Sequence, residues 1–389
     1  MIKLEKKKFV LVIVLCCVVS LIAGSLIFVL GMKAAGYSLI GGKSAERMEK
    51  IVSRYGKLYD MQTKLNNQGY YKVSLNKEMN AMYKALFKSV GDEYTEYMTK
   101  QETKSWNSYL NGTFSGIGVV FSKNSDGVYQ IVQVLDNSPA KKAGLKAGDQ
   151  ILSVNGKTYK SMETMAKKIR GKAGTGVKLK IRRSGTVKTV SVIRGEVEEQ
   201  SVYSRRMKGN IGYIYISSFS QDTYKEFNTA LKKFEAKNVK GVVIDLRNNG
   251  GGYMDQGLKV ADRLLPEGTI TYMKNRAGKK TYYNSDENCT KLKYVLLVNQ
   301  YTASSSEIVT AAVKDNHGGK IVGVTTYGKG VVQSQYNYKD GSSFKMTVYQ
   351  YFSPKGHVIN KKGVRPDKVV KLSRSGTDNQ YQEAASLLK

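Results

Sequence analysis

The chain opens on an unbroken apolar block. Phe9 to Gly31 is 23 residues without a charge. At ~1.5 Å of rise per residue such a helix spans roughly 35 Å, enough for the hydrocarbon core of a bilayer. The pattern then changes. Between 43 and 110 apolar residues recur at helical spacing, first Met48, Ile51, Tyr55 and Leu58, then Leu75, Met79, Met82, Leu86 and Val90, which predicts an amphipathic helical segment. From Gly112 to about Gly195 the strand-like runs GIGVVF, VYQIVQVL, QILSVNG, VKLKIRR and VKTVSVIR alternate with glycine turns, a short helix at SPAKKAGLKAGD and a longer one at SMETMAKKIRGKAG. That is a small β-sandwich or barrel with two helices. From 201 onward buried strands (IGYIYIS, KGVVIDLR, YVLLVN, KIVGVT) alternate with helices. One of those helices carries Tyr224, Phe227, Leu231 and Phe234 on one face, and VVQSQY and SFKMTVYQYF close the region as further strands. Apolar runs alternating with helices predict an α/β core.

The predicted architecture is therefore α+β and multidomain. A basic tail (1–8) and a transmembrane helix (9–31) precede a helical segment (43–110), a β-sandwich (112–195), an α/β core with a mixed sheet (201–375) and a C-terminal helical tail (376–389). Lys3, Lys6, Lys7 and Lys8 precede the apolar block with Glu5 the only acid. By the positive-inside rule the N-terminus stays cytoplasmic and the rest lies outside the membrane. The rival, a cleaved signal peptide, is disfavoured by the length of the apolar run and by the poor cleavage box in MKAAGYSLIGGK. The amphipathic helices at 43–110 and the C-terminal helix are candidate surfaces for a homodimer, although the same amphipathicity fits packing within one chain.

Composition narrows the chemistry. Three cysteines, two of them inside the apolar block, exclude a disulfide scaffold and a cysteine-based zinc site. Only two histidines, His317 and His357, are present, so a histidine-rich metal site is not expected and a histidine base is disfavoured for any hydrolase here. No metal and no cofactor are called for. The net charge of +32 is spread along the chain. It suits a solvated surface or attraction to an anionic envelope, and no nucleic-acid-reading module accompanies it.

Three segments of the α/β region could carry chemistry. Asp245-Leu-Arg-Asn-Asn-Gly250-Gly251-Gly252 follows a buried strand, and its glycines can turn the backbone to expose N–H groups to an anion. A plain tight turn reads the same way. In Val298-Asn-Gln-Tyr-Thr-Ala-Ser304-Ser305-Ser306-Glu307 the chain enters a helix through small residues. A serine at that terminus meets the helix dipole, but Ser304-x-x-Glu307 is also a capping box. Gly323-Val-Thr-Thr-Tyr-Gly328-Lys329-Gly330 nearly spells a phosphate loop. It lacks the Ser/Thr after the lysine and runs into a strand rather than a helix, so nucleotide binding is rejected. Taken together, a serine and a lysine desolvated enough to be neutral make a workable nucleophile and base.

These segments resemble the carboxy-terminal processing proteases, PDZ-containing serine peptidases that include the tail-specific proteases. VNQYTASSSEI is similar to the family's VNxxSASASEI box and GKGVVQ to its lysine box, with DLRNNGGG similar to DLRxNPGG. YTEYMT near Tyr94 resembles the segment before the PDZ domain. Phe114-Ser115-Gly116-Ile117-Gly118-Val119 resembles the PDZ entry, SPAKKAGLKAGDQILSVNGK its core, and YFSPKGHVINKKGVRPD the C-terminal signature. The likeness covers about 44 to 389, with Thr302 and Ser305 replacing the usual Ser and Ala.

The resemblance implies Ser304 as nucleophile, Lys329 as general base and Gln333 as the residue that orients it. It also implies an oxyanion hole from the N–H of Gly251 or Gly252 plus that of Ser305. Gly116, Ile117, Gly118 and Val119 would hold the terminal carboxylate of a substrate tail, with Ile117 and Val119 suiting a small apolar last residue. A PDZ arginine, Arg170 ahead of Arg182, would sense the bound peptide. The partners expected are proteins with exposed C-terminal tails. Two rivals stand beside this reading, an inactive membrane-tethered PDZ scaffold and a Ser-His enzyme using His317 or His357.

Overall fold

The computed structural model describes residues 6–35, 42–123, 127–373 and 376–389. Lys3 and Glu5 of the basic tail lie outside that description. The chain divides into two compact units, Met1–Met79 and Asn80–Lys389.

In the first unit the apolar block forms helix α1 (Lys6–Ala34). Within its Lys8–Ala34 stretch an 18-residue window has a mean hydropathy of 3.0 and none of that window is buried, so the helix is long and apolar enough to cross a membrane. Helix α2 (Gly42–Gln68) follows, and its apolar positions, Met48, Ile51, Tyr55 and Leu58 among them, are exposed. Helix α3 (Leu75–Lys88) begins in this unit and ends in the next.

The second unit departs from the helical expectation for 43–110. Strand β1 (Glu96–Met98) interrupts the helices before α4 (Lys100–Asn111). YTEYMT carries the strand-favouring residues Tyr94, Thr95, Tyr97 and Thr99 inside a helical stretch. Helix α4 starts at a capping box between Thr99 and Glu102 and stops at Gly112, whose φ of 65° suits glycine.

Strand β2 (Thr113–Gly116) then leads into a five-stranded antiparallel sheet, β3 (Val119–Lys123), β4 (Tyr129–Val134), β5 (Gln150–Val154), β6 (Gly176–Arg183) and β7 (Thr186–Ile193), in that spatial order. Helices α5 (Pro139–Lys142) and α6 (Met162–Ile169) complete it. Inward residues of the alternating strands, among them Ile131, Ile151, Leu179, Ile181 and Val192, make its core with Met165 and Ile169 of α6. Strand β8 (Gly195–Glu198) returns to pair with β2, closing this lobe where it began.

The remaining lobe has two sheets. Strands β9 (Val202–Met207), β10 (Ile211–Ile216), β11 (Gly241–Asp245), β14 (Tyr294–Val298), β15 (Lys320–Gly323) and β18 (Lys368–Val369) form one. It is parallel except for edge strand β9. Helices α7 (Thr223–Ala236), α8 (Met254–Leu264) and α9 (Ser305–Asp315) connect its strands. The strands are buried on both faces, so GVVID and YVLLV read as continuous apolar runs. Val242, Ile244, Leu296 and Val298 pack into the large core with those helices. Val243, Val295, Leu297 and Val322 face the other way, against Ala384 and Leu388 of the C-terminal helix α10 (Asn379–Ser386) and the turn after it. The apolar face of α10 is thus packed within the chain.

The second sheet is antiparallel. Strand β17 (Ser343–Phe352) pairs with β16 (Val331–Asn337), with β12 (Gly268–Asn275), which in turn pairs with β13 (Lys280–Ser285), and with β1. Residues ahead of the β-sandwich are therefore stitched to the far end of the chain.

Candidate active site

Strands β11 and β14 are neighbours in the parallel sheet, so the turns that follow them lie side by side. These are the Asn-Asn-Gly-Gly-Gly and Ala-Ser-Ser-Ser turns. They interlock through buried hydrogen bonds. Ala303 N donates to Asn249 O at 2.9 Å, Ser306 Oγ to Asn249 O at 3.1 Å, Thr302 Oγ1 to Leu246 O at 2.8 Å and Ser305 Oγ to Gly252 O at 3.0 Å. The two departures from the family run, Thr302 and Ser305, are both used as hydroxyl donors.

Ser304 sits between these contacts at φ 57°, ψ −120°. That backbone is strained for a side chain with a Cβ, at roughly 1–3 kcal/mol, and must be held from outside. Glu307, one turn into α9, holds it. Its fully buried carboxylate accepts from Ser304 N at 2.9 Å and Lys329 N at 2.8 Å on one oxygen, and from Gly328 N at 2.7 Å and Thr326 Oγ1 at 2.6 Å on the other. The capping pair therefore does more than start a helix, since it ties the Ser304 turn to the Lys329 loop. Burial raises the carboxyl's pKa, and these four donors oppose the rise. The Tyr351 hydroxyl, also buried, donates to the carbonyls of Ser304 (3.1 Å) and Lys329.

Ser304, Ser305, Gly252, Lys329 and Gln333 line one cavity of about 740 Å³, with Trp106, Tyr109 and Leu110 of α4 and Lys345 of β17 among its other walls. The Lys329 amine lies 4.6 Å from the centre of the Tyr94 ring. Burial lowers its pKa, and the neighbouring Lys345 charge lowers it further, against Asp92, Glu93 and Glu307. Among the described residues no carboxylate pairs with it. Lys345 differs, with an ion pair to Glu96 at 3.0 Å and its amine 3.7 Å from the centre of the Trp106 ring.

The site residues expected from the sequence separate here. Gly251 and Gly252 do not play equal parts. The Gly251 N–H is donated to Asn249 Oδ1 at 2.9 Å, whereas Gly252 lines the cavity and its N–H is left out of the bridge that Phe219 makes with this turn. A side chain at Gly251 would collide with Ser304, its Cβ falling 2.7 Å from that of Ser304. Gln333 reaches the cavity, but its amide donates to Thr347 Oγ1 at 3.0 Å rather than to Lys329. His317 and His357 do not line the cavity, and His317 Nε2 is 3.2 Å from Lys355 Nζ.

In the β-sandwich, Ile117 is 1% exposed and belongs to the core, so its side chain is not offered to a ligand. The carbonyls of Ile117 and Gly118 accept from Ala140 N at 2.8 Å and Leu135 N at 3.0 Å. The amides of Ile117 and Gly118 have no backbone partner among the described residues. Val119 is half-buried at the start of β3. Arg170 follows α6, beside Gly116, with its guanidinium 5.4 Å from the centre of the Phe114 ring. Neither it nor Arg182 lines the Ser304 cavity. Sequence reasoning passed over Tyr94, Trp106 and Lys345. For Tyr94 and Trp106 the available signal was the aromatic density of 94–109, inside a stretch read as helical; Lys345 carried no local signal.

Comparison with known proteins identifies the family. Residues 115–193 match the PDZ domain and 210–370 match Peptidase family S41. The carboxy-terminal processing protease CtpA of Bacillus subtilis is 35% identical over 376 residues, 95% of this chain and 78% of that one. A probable CtpA-like serine protease of Staphylococcus aureus (strain COL) is 33% identical over 359 residues, 90% of this chain and 72% of that one. Among solved structures, the photosystem II D1 C-terminal processing protease is 25% identical with a TM-score of 0.49, covering 80% of this chain and 86% of that one. The order of a PDZ domain before an S41 core, and the identity shared across most of both chains with CtpA, place this serine-type peptidase in the carboxy-terminal processing protease family.

Proposed function

We propose that the chain is a membrane-tethered endopeptidase that takes proteins by their C-terminal tails and cleaves them with a Ser304–Lys329 dyad through an acyl-enzyme. The observation that carries this reading is the placement of both side chains in one cavity, with Lys329 half-buried and without a carboxylate partner among the described residues.

Neutral Lys329 accepts the Ser304 Oγ proton as Oγ bonds to the scissile carbonyl carbon. The oxyanion that forms takes the amides of Gly252 and Ser305, the second at the positive end of α9. Lys329 returns its proton to the leaving nitrogen as the C–N bond breaks, leaving an ester on Ser304. Water then adds to the ester, with Lys329 again as base, and the free carboxylic acid departs. Gln333 acts on this site through Thr347.

Upstream of the chemistry, the tail adds as a strand beside β3, its carboxylate on the Gly116–Val119 amides. Arg170 stands next to that loop and adds a positive charge for the carboxylate. Helix α1 crosses the membrane, with the basic tail inside and both domains outside.

The test uses the full chain in detergent. A fluorogenic peptide with an apolar free C-terminus is turned over by wild type. Ser304→Ala and Lys329→Ala should each fall at least 10³-fold while melting normally. A serine-reactive phosphonate should add its mass at Ser304. Near-normal turnover by Lys329→Ala would end the dyad assignment.

A further inference from the structure

Both lysines of the cavity rest on aromatic rings from one segment, 92–111, which lies outside the PDZ and S41 matches. Lys345 lies over Trp106 and is also neutralised by Glu96. Lys329 lies over Tyr94 and has no such carboxylate among the described residues. Tyr94 is held firmly. β1 registers Glu96 against Lys345 and Tyr97 against Phe344, and Thr347 N donates to Thr95 Oγ1 at 3.1 Å. Asp92 accepts from Thr95 Oγ1 at 2.5 Å and from Tyr94 N at 3.3 Å.

We propose that Tyr94 is a positioning residue for the general base, its ring face holding the Lys329 amine in the cavity and receiving the ammonium that forms when Ser304 gives up its proton. This rests on the Ser304–Lys329 reading above.

The physical reason is a conflict in what the base requires. At rest Lys329 must be neutral to accept a proton, and in the transition state it is a cation. A carboxylate in contact would keep it protonated at neutral pH. Bare burial would leave the transient ammonium without stabilisation. An aromatic face attracts a cation more weakly than a carboxylate and holds a neutral amine by contact alone. It therefore favours the charged state without fixing it. The other groups facing the amine are Asp92 and Glu93 before β1, Glu307 of α9 and Lys345 of β17. The Tyr94 hydroxyl meets Glu93 and Tyr327.

The test is the pH dependence of kcat and kcat/KM for the full chain in detergent on the fluorogenic peptide. Tyr94→Phe keeps the ring and should stay within about twofold of wild type. Tyr94→Leu removes it. A trifluorophenylalanine in place of Tyr94 keeps the shape but drains the negative face. With the ring's attraction gone, the ammonium is less favoured and Lys329 is neutral at lower pH. In both ring-impaired variants the acid limb should move down by roughly half to one pH unit. The kcat of Tyr94→Leu should also fall, roughly 5–30-fold, with KM little changed.

An acid limb unmoved in both variants would overturn the proposal. A loss in Tyr94→Phe as large as in Tyr94→Leu would also overturn it, assigning the effect to the hydroxyl. Activity in Lys329→Ala would remove the dyad and this role together. Inactive Lys329→Ala with an unmoved limb would remove this role alone.

Discussion

The amide of Ser304 donates to a carboxylate oxygen of Glu307 at 2.9 Å, and the amide of Lys329 donates to the same oxygen at 2.8 Å. One buried side chain thereby sets the backbone on both sides of the proposed proton transfer. It also opposes the strain at Ser304, whose φ is 57°.

Replacing Glu307 by Gln puts an NH₂ group where two donors already point. At least one charge-assisted hydrogen bond is lost, each worth about 1.5–3 kcal/mol, and a buried donor is left facing a donor. Glu307→Gln should lower the melting temperature by several degrees and kcat by more than tenfold. Thermal unfolding by circular dichroism and peptide hydrolysis would read both. A variant that melts and turns over like wild type would show that the shared carboxylate is dispensable.

Lys345 supplies the positive charge that adds to burial in lowering the Lys329 pKa. A like charge disfavours protonation, so its removal lets Lys329 keep its proton to higher pH. The active form is the neutral amine. The acid limb of the pH–rate profile in Lys345→Met should therefore move upward, opposite to the shift expected of Tyr94→Leu. Glu96 already compensates part of the Lys345 charge, so the shift should stay below about one unit. A limb that stays put would mean Glu96 screens the pair completely.

Much of this was legible in the residues. Continuous apolar runs gave β11 and β14, helical spacing gave α7, and β-rich runs set between glycine turns gave β3 to β7. Strands β12 and β13 were not expected. TITYMKN and KTYYNS mix lysines with aromatics, so no clean apolar run marks them, and their hairpin depends on pairing to β17 as well as on Ile270 and Met273, which join the large core. Strand β1 was hidden for the same reason, since three residues become a strand only because β17 offers an edge. In the site, the Ser304 and Lys329 boxes could be read locally. Which glycine amide is tied up within the turn could not, because it depends on Asn249 folding back onto Gly251.

Arg247 carries the glycine turn's outer support. Its guanidinium donates to Asp245 at 2.5 Å and Asp378 at 2.7 Å, and to Gln380 at 2.9 Å, linking β11 to α10. Asp245 also accepts from the Tyr213 hydroxyl at 2.7 Å. Arg247→Ala would leave the buried Asp245 charge without its cation, and such losses amount to about 3–5 kcal/mol. A fall of that size in urea unfolding, with earlier proteolysis at the C-terminal helix, is the expected result. An unchanged midpoint would show that Asp245 is held by Tyr213 and the Arg247 amide alone.

The last prediction separates recognition from chemistry. Gly118 has φ +77°, and a Cβ there would sit 2.3 Å from Ser138 Cβ, the residue that caps α5. Neither the left-handed backbone nor the collision is tolerated by alanine. Gly118→Ala must therefore shift the loop proposed to hold the tail's carboxylate, while the Ser304 cavity contains no atom of that loop. Affinity for a short peptide with a free C-terminus, measured calorimetrically with Ser304→Ala as the common background, should fall at least tenfold. Cleavage of a short peptide whose C-terminus is amidated uses no carboxylate contact and should change less than threefold in the otherwise wild-type chain. Equal loss on both substrates would mean the β-sandwich acts on the cavity itself. Unchanged tail affinity would place the carboxylate elsewhere.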